Sequence, residues 1–154
     1  MDLKNIVSPD ALYSGLNATS KKHLMQELAQ RAADAYEIDQ RAAFEALLER
    51  ERLGPTGMGR GVAIPHARLE GLDRIVGVFA RLQKPIDYDA ADGEPVDLVF
   101  ALFAPEEAGA DHLRALARIS RSLRDSAVCG KLRAADNAAA IYAVLTNPVD
   151  SKAA

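Results

Sequence analysis

The chain has 154 residues, 49% of them hydrophobic and 27% charged, and its formal net charge is −3 at pH 7. This length suits one domain with its own core, and the slightly acidic balance gives no electrostatic reason to expect a nucleic acid as partner. No apolar run is long enough to span a bilayer, and the first residues lack the apolar region of a signal peptide. The single Cys129 cannot form an internal disulfide. We therefore expect one cytoplasmic domain over residues 1–154, with both termini frayed.

The first third of the chain is predicted to contain a short strand and two amphipathic helices. In chain order we expect a loosely held lead-in, the strand, the first helix and a second helix that stops at a Gly-Pro pair: residues 1–9, 11–16, 20–35 and 39–53. Thr19 or Ser20 supplies the first N-cap, and Asp39 supplies the second. His23, next to two lysines in the first helix, is interpreted as a surface residue.

The functional prediction depends on the stretch from Thr56 to Arg68. Glycines at every second position (57, 59 and 61) remove side chains from one backbone face, so another surface can approach and backbone N–H groups remain for an anion. Val62 to Ile64 is predicted as a short apolar strand that Pro65 ends. His66 would then lie just past a strand end, beside an exposed apolar rim of Val62, Ile64 and their neighbours. A neutral, nucleophilic imidazole suits such a place, but a glycine-rich turn before a structural histidine fits the local pattern equally well.

Beyond the histidine, apolar strands and helical patterns alternate, which indicates an α/β domain. We expect a strand, an acidic surface loop, a strand covered on both faces and, near the C-terminus, two short helices: residues 74–82, 84–95, 96–103, 126–134 and 137–146. Between the last strand and those helices, Asp111 is the expected N-cap of another helix, which would place His112 in its first turn. Cys129 is expected to be a small packed residue rather than a nucleophile.

The run Arg50-Glu51-Arg52-Leu53-Gly54-Pro55-Thr56-Gly57-Met58-Gly59, leading into Ala63-Ile64-Pro65-His66, resembles the phosphorylation-site signature of fructose/mannitol-type enzyme IIA domains. These domains belong to the bacterial phosphoenolpyruvate-dependent phosphotransferase system, and the branch that this chain most resembles is the nitrogen-regulatory one. The later runs Val-Gly-Val-Phe and Pro-Val-Asp-Leu-Val-Phe-Ala-Leu are also similar to that branch. The resemblance covers a core of about residues 8–146.

The resemblance implies a fold, a reaction and a set of site residues. The fold is a single α/β domain with a mixed, mainly parallel β-sheet sandwiched between α-helices. His66 would accept a phosphoryl group from an HPr-like phosphocarrier, and Arg50 would stabilise the charge of that group. Thr56 would donate its hydroxyl to the same oxygens, although a turn-capping threonine fits its position equally well. His112, in a matching His-Leu-x-x-Leu context, would support His66. Without the resemblance, its position indicates only a partly buried histidine at the start of a helix.

No cofactor or metal is expected, because His23, His66 and His112 lack the paired spacings of zinc motifs and exchange between phosphohistidines needs no metal to drive it. Two other functions compete with a regulatory phosphocarrier. One is a sugar-transport enzyme IIA that passes phosphate to a separate enzyme IIB. The other is a histidine-dependent hydrolase or nucleotide-binding enzyme, which ranks last because the glycine stretch lacks a P-loop ending and a dinucleotide fingerprint, and no Gly-x-Ser-x-Gly elbow is present.

Overall fold

Six β-strands and five α-helices follow one another along residues 2–147, the part of the chain that the computed structural model describes. A 3-10 helix, Leu3–Asn5, precedes them. The strands are β1 Val7–Leu16, β2 Gly57–Gly59, β3 Val62–Ala63, β4 His66–Leu69, β5 Val76–Ile86 and β6 Val96–Pro105. The helices are α1 Lys21–Tyr36, α2 Gln40–Arg52, α3 Ala110–Arg124, α4 Ser126–Ala134 and α5 Ala138–Leu145. The frayed C-terminus that we predicted falls on residues 148–154, which lie outside the described range, as does Met1.

The strands form one mixed sheet in the order β1-β5-β6-β3-β2, and β4 also pairs with β6. The pairs β1/β5, β3/β6 and β4/β6 are parallel, whereas β5/β6 and β2/β3 are antiparallel. The prediction of a mixed, mainly parallel sheet is therefore confirmed. The order of the strands could not be read from the pattern, because neighbours such as β3 and β6 are joined only through long connections.

Strand β6 lies at the centre of the sheet and of the core. Every residue from Leu98 to Ala104 is buried, and because successive side chains of a strand point to opposite faces, helices must cover both faces. This confirms the doubly covered strand that the continuous apolar run predicted. Strand β5 is longer than predicted, since Ile86 still pairs with Val96 after an irregularity that accommodates Pro85. The predicted loop over 84–95 therefore begins only after Ile86.

The N-terminal residues are not the loose lead-in that we predicted. Leu3 is fully buried, Ile6 is 3% exposed, and the Asp2 side chain caps the 3-10 helix by accepting from the Lys4 N–H. Strand β1 begins at Val7, and the Ile6 carbonyl accepts a hydrogen bond of 2.8 Å from the Gly77 N–H. Ser8, Pro9 and Asp10 hide this strand from a pattern search, because a proline between two polar residues interrupts its apolar alternation.

Helix boundaries follow the predicted caps with one exception. The side chains of Ser20 and Asp39 accept from the N–H groups of His23 and Ala42, so both predicted N-caps are confirmed. Helix α3 instead begins after Gly109, whose φ of 53° few other residues adopt. Asp111 lies in the first turn of α3 and pairs with Arg114 at 2.8 Å. The prediction of Asp111 as N-cap was therefore wrong by two residues.

Candidate active site

His66 lies just past the end of β3, as we predicted, but it is also the first residue of a further strand, β4, which we did not predict. Strands β3 and β4 pair with β6 in one continuous register, with Val62 opposite Leu98 and His66 opposite Leu102. Only the Ile64-Pro65 step interrupts this line, because Pro65 has no N–H to donate to the ladder. The imidazole is therefore carried by a strand that is fixed against the central strand on both sides of the proline.

The two nitrogens of His66 have different partners. Nδ1 lies 2.8 Å from the carbonyl oxygen of Ile64, which can only accept, so Nδ1 carries the proton. In the neutral ring Nε2 then holds the lone pair, and Nε of Arg50 donates to it over 3.3 Å. The structure thus presents Nε2 as the nucleophilic nitrogen.

The surroundings of His66 keep the ring neutral. Burial is the largest cause that lowers its pKa, and the charge of Arg50 lowers it further. The hydrogen bond to Ile64 and the charge of Glu51 act in the opposite direction, but the net shift is downward from the ordinary value of 6.5. An unprotonated Nε2 is consequently available at neutral pH.

Arg50 is brought to His66, as the sequence predicted. It lies in the last turn of α2, where its Nη1 donates to the carbonyl oxygen of Gly54 at 2.9 Å. This bond tethers the guanidinium at the end of the helix, while its Nε points at the His66 ring. The adjacent Arg52 differs, because it pairs with Glu49 at 2.9 Å and its side chain is 71% exposed.

His112 also meets His66, although the two lie far apart in the chain. Their ring centroids are 5.6 Å apart with an interplanar angle of 70°, an edge-to-face arrangement. His112 is 5% exposed, and its Nδ1 is buried with no hydrogen-bond partner in residues 2–147. Burial, then the neighbouring His66 and Arg68, lower the pKa of His112. The site therefore contains two neutral imidazoles and a fixed guanidinium.

These groups line a cavity of about 450 Å³ between α2, β4 and α3. The lining residues are Ala46, Glu49, Arg50, Leu53, His66, Ala67, Arg68, His112, Leu113 and Leu116. Leu53 and Leu113 are 82% and 65% exposed, so each presents a large apolar side chain to solvent beside the cavity. The apolar rim that we predicted from Val62 and Ile64 is wrong, because these side chains are only 1% and 5% exposed. Periodicity relates residues within one helix or strand, whereas Leu53, Leu113 and Arg68 lie in three different parts of the chain. The sequence pattern therefore gave no signal that they meet at one site.

Thr56 does not join the cavity. It is 8% exposed, and its hydroxyl bonds to the carboxylate of Glu51 and, at 2.9 Å, to the hydroxyl of Tyr88. A hydroxyl committed to these buried partners cannot also serve oxygens at His66. Contrary to our prediction, the Thr56 hydroxyl is not placed to donate to a phosphoryl group on His66. Glu51 was not predicted as a site residue, because the sequence marks it only as a carboxylate within the signature.

The space beside Gly57, Gly59 and Gly61 is occupied by other residues of this chain, not left open for a ligand at His66. A Cβ on Gly57 would lie 2.9 Å from that of Ala90, and a Cβ on Gly61 would lie 2.7 Å from Nη2 of Arg133. The N–H of Arg60, between the last two glycines, donates to the carboxylate of Asp92. The predicted close approach is thus confirmed, but the approaching surface belongs to residues 88–97 and α4. The predicted use of these N–H groups for an anion at His66 is not supported.

The remaining predicted residues lie outside this cavity. Nδ1 of His23 is 3.1 Å from the Thr19 N–H, and the His23 side chain is 38% exposed. Cys129 is 6% exposed and its Sγ donates to the Leu123 carbonyl, so the prediction of a packed residue is confirmed. Among residues 2–147, no cluster of three or more histidine, cysteine or acidic side chains is arranged to hold a metal ion. Within the same range, no helix is long and apolar enough to cross a membrane.

Comparison with known proteins gives one consistent result. The family model described as "Phosphoenolpyruvate-dependent sugar phosphotransferase system, EIIA 2" matches residues 5–147. A nitrogen regulatory protein of Bradyrhizobium diazoefficiens is 55% identical over 148 residues, which cover 96% of this chain and 97% of that protein. The nitrogen regulatory protein of Escherichia coli is 37% identical, with coverages of 96% and 91%. The crystal structure of nitrogen regulatory protein IIA-Ntr from Neisseria meningitidis superposes with a TM-score of 0.86 at 34% identity, with coverages of 92% and 97%.

Proposed function

Because the chain belongs to the EIIA 2 family of the phosphoenolpyruvate-dependent phosphotransferase system, we propose that it is an enzyme IIA of the nitrogen-regulatory type. His66 accepts a phosphoryl group from an HPr-like phosphocarrier, and the phosphorylation state of the chain regulates partner proteins. The observation that carries the proposal is the assignment of the His66 nitrogens. Nδ1–H is bonded to the Ile64 carbonyl, and Nε2 is left as a lone pair beside Arg50 in an open cavity.

The transfer is an in-line displacement at phosphorus. Nε2 of His66 attacks the phosphoryl group on the donor's histidine, so that one N–P bond forms while the other breaks. The electron pair of the broken bond returns to the donor's ring nitrogen. The proton on Nδ1 of His66 remains in its hydrogen bond to Ile64 throughout. Since one phosphohistidine replaces another, the exchange is close to balanced in free energy and needs no metal.

Arg50 and His66 are arranged for the change in charge. In the unphosphorylated protein the Arg50 Nε donates to Nε2 of His66. When Nε2 becomes bonded to phosphorus, that N–H has lost its acceptor and can donate to a phosphoryl oxygen instead. The tether to Gly54 keeps the guanidinium in place, so little reorganisation is needed at the moment of transfer. His112, edge-on to the ring, supplies a second neutral imidazole beside the new phosphoryl group.

Phosphorylation changes the surface that partners meet. A phosphohistidine adds negative charge between the exposed side chains of Leu53 and Leu113. A partner that buries these leucines against an apolar or acidic surface is then disfavoured, whereas a partner with basic groups is favoured. We place the protein in the cytoplasm, where phosphoenolpyruvate supplies the phosphoryl group.

The test is labelling from radioactive phosphoenolpyruvate in a system reconstituted with enzyme I and its phosphocarrier. Wild type should take up label in acid-labile form, and His66→Ala should take up none. His23→Ala removes a histidine outside the cavity and should label like wild type. Labelling of His66→Ala at the wild-type level would overturn the assignment.

A sugar-transport role is the second candidate, and the description of the family model, which names a sugar phosphotransferase system, is the observation that favours it. In that case the phosphorylated chain would transfer its phosphate to a separate enzyme IIB of the fructose/mannitol type. Affinity capture from cell extract with wild type, His66→Ala and the charge mimic His66→Glu distinguishes the two roles. Partners that are retained or lost according to the charge at position 66 support regulation, and transfer of label to a IIB protein supports transport.

A further inference from the structure

Glu51 is a buried carboxylate that the proposed transfer does not use directly. It follows Arg50 in the last turn of α2, and its side chain is 7% exposed. A buried charge is costly unless it is paired and hydrogen-bonded. The pairing is supplied by Lys21 of α1, whose Nζ lies 2.7 Å from one carboxylate oxygen. The site therefore has a charged residue directly behind it whose purpose the transfer itself does not explain.

The hydrogen bonds of Glu51 converge on Thr56. One carboxylate oxygen accepts from the Thr56 N–H at 3.2 Å, and the other accepts from the Thr56 hydroxyl. The fully buried Tyr88 also donates to Glu51 at 3.2 Å, and burial raises the pKa of Tyr88 so that its hydroxyl keeps the proton. Lys21 lies over the ring of Tyr88, 4.5 Å from its centre. The carboxylate thus holds both the backbone and the side chain of Thr56.

Thr56 in turn is linked to the His66 ring through Ile64. The carbonyl oxygen of Thr56 accepts from the Ile64 N–H at 3.1 Å, and the Ile64 carbonyl accepts from Nδ1 of His66 at 2.8 Å. The carbonyl oxygen of Pro65 itself accepts a hydrogen bond from the Leu102 N–H at 2.9 Å. Because the Ile64-Pro65 step interrupts the ladder, the bond to Thr56 is what fixes the Ile64 amide. A continuous chain of hydrogen bonds therefore runs from Glu51 to the imidazole.

We propose that Glu51 is a positioning residue for His66, which acts through Thr56 to hold the Ile64 carbonyl where it keeps the proton on Nδ1. If that carbonyl moves, the two neutral tautomers of His66 mix, and a fraction of the molecules carries the proton on Nε2. Those molecules have no lone pair on Nε2, the nitrogen that would attack phosphorus. The consequence for transfer rests on the proposed function, whereas the effect on the tautomer does not.

Two substitutions separate the hydrogen bonds of Glu51 from its charge. Glu51→Ala removes both. Glu51→Gln removes the charge only, because its amide oxygen can accept from Lys21 and the Thr56 N–H while its NH₂ group donates to the hydroxyls of Thr56 and Tyr88. Glu45→Ala is the matched control, since it removes an exposed carboxylate of the same helix that, among residues 2–147, pairs with Arg41 alone.

The readouts are made on the unphosphorylated protein first. Imidazole ¹⁵N shifts should show His66 as the Nδ1–H tautomer in wild type, Glu51→Gln and Glu45→Ala, and as a mixture in Glu51→Ala. Because the Thr56 carbonyl that accepts from the Ile64 N–H is no longer held by Glu51, amide exchange at Ile64 should be about tenfold faster in Glu51→Ala. Exchange at Leu102, which reports on the other side of Pro65, should not change. The rate of phosphorylation by the carrier should fall by about tenfold in Glu51→Ala and recover in Glu51→Gln.

Two results would overturn the proposal: an unchanged tautomer in a folded Glu51→Ala protein, or a Glu51→Gln protein as impaired as Glu51→Ala, which would mean that charge alone acts. If Glu51→Ala does not fold, Thr56→Val decides, because it deletes the hydroxyl link and leaves the pair with Lys21. Faster exchange at Ile64 in that variant supports the chain of bonds, and unchanged exchange refutes it. Failure of the proposed function would look different, since wild type itself would then take up no phosphate while the tautomer shift remained.

Discussion

The Nε of Arg50 lies 3.3 Å from Nε2 of His66, while the carbonyl oxygen of Ile64 accepts a hydrogen bond from Nδ1–H. A cation placed against the lone pair of the acceptor disfavours protonation of that nitrogen, and burial acts in the same direction on the pKa of His66. The same guanidinium is already within reach of the group that the nitrogen will receive. Under the proposed function, Arg50 would keep Nε2 of His66 unprotonated before transfer and would bind the phosphoryl oxygens after it.

The first prediction concerns Arg50 itself. Arg50→Ala should slow phosphorylation of His66 on the order of 100-fold, the size of effect seen when one preorganised donor is removed from a charged transition state. Arg50→Lys should recover part of the rate, because an ammonium keeps the charge but lacks the planar fork. Arg52→Ala, which removes the exposed neighbouring arginine, is the control and should react like wild type. Rapid-quench kinetics with the phosphorylated carrier measure all of these rates, and equal rates for Arg50→Ala and Arg52→Ala would contradict the prediction.

His112→Ala tests the second imidazole. We expect the variant to fold and to be phosphorylated roughly tenfold more slowly, because the ring at 5.6 Å no longer borders the phosphoryl group. Circular dichroism checks the fold, and His23→Ala controls for the loss of a histidine as such. A His112→Ala protein that is phosphorylated at the wild-type rate would reduce this residue to a packing role.

The pH dependence of phosphorylation follows from the direction of the His66 shift. The pKa of His66 is lowered from 6.5 in the folded protein, chiefly by burial, so the reactive neutral ring persists below that pH. The rate should therefore stay on its plateau as the pH falls through 6.5 and decline only at more acidic values. An NMR titration of the imidazole checks the same shift independently of any donor. An inflection in both curves at or above 6.5 would show that the ring is not desolvated.

The leucines beside the cavity should act in docking rather than in chemistry. Leu53→Asp and Leu113→Asp place charge on side chains that are 82% and 65% exposed, so the free energy of unfolding should change by only about 0.5 kcal/mol. We expect weaker binding of the phosphocarrier, seen as a raised KM, with the rate at saturation nearly unchanged. Glu45→Gln, a substitution at another exposed position of α2, is the comparison. A fall in the saturated rate with unchanged KM would place the leucines in the transfer step instead.

Substitution in the glycine stretch should lower the stability of the protein and leave phosphorylation intact. Gly61 has a φ of 82°, and a Cβ there would lie 2.7 Å from Arg133 and 3.0 Å from Asp97, so Gly61→Ala should lower the free energy of unfolding by about 1–3 kcal/mol. Gly93→Ala, at a φ of 73° where an added Cβ would meet no atom of residues 2–147 within 4 Å beyond its chain neighbours, should lower it by less. Urea denaturation measures both. Because these glycines do not line the His66 cavity, folded Gly61→Ala should still be phosphorylated, and a folded protein that takes up no phosphate would return the stretch to the active site.

Local features of the chain were enough for much of the fold. The N-caps at Ser20 and Asp39 and the doubly buried run of β6 depend on residues close together in the sequence, where propensity and periodicity apply directly. The start of β1 was not predicted, because its local pattern does not indicate a strand. Ser8 and Asp10 are polar and flank Pro9, and only pairing of β1 with β5 makes this segment a strand.

The amino-acid sequence by itself, through its resemblance to enzyme IIA domains, determined which groups were candidates for the site: a histidine behind a proline, an arginine at a helix end and a second histidine at a helix start. Tertiary structure alone decided which of their neighbours are available. The hydroxyl of Thr56 already donates to Glu51, and residues 88–97 and α4 already pack against the glycines. Leu53 and Leu113, in contrast, remain exposed. A side chain's identity fixes which hydrogen bonds it can make, but whether a partner has already taken them depends on residues that only the folded chain brings together.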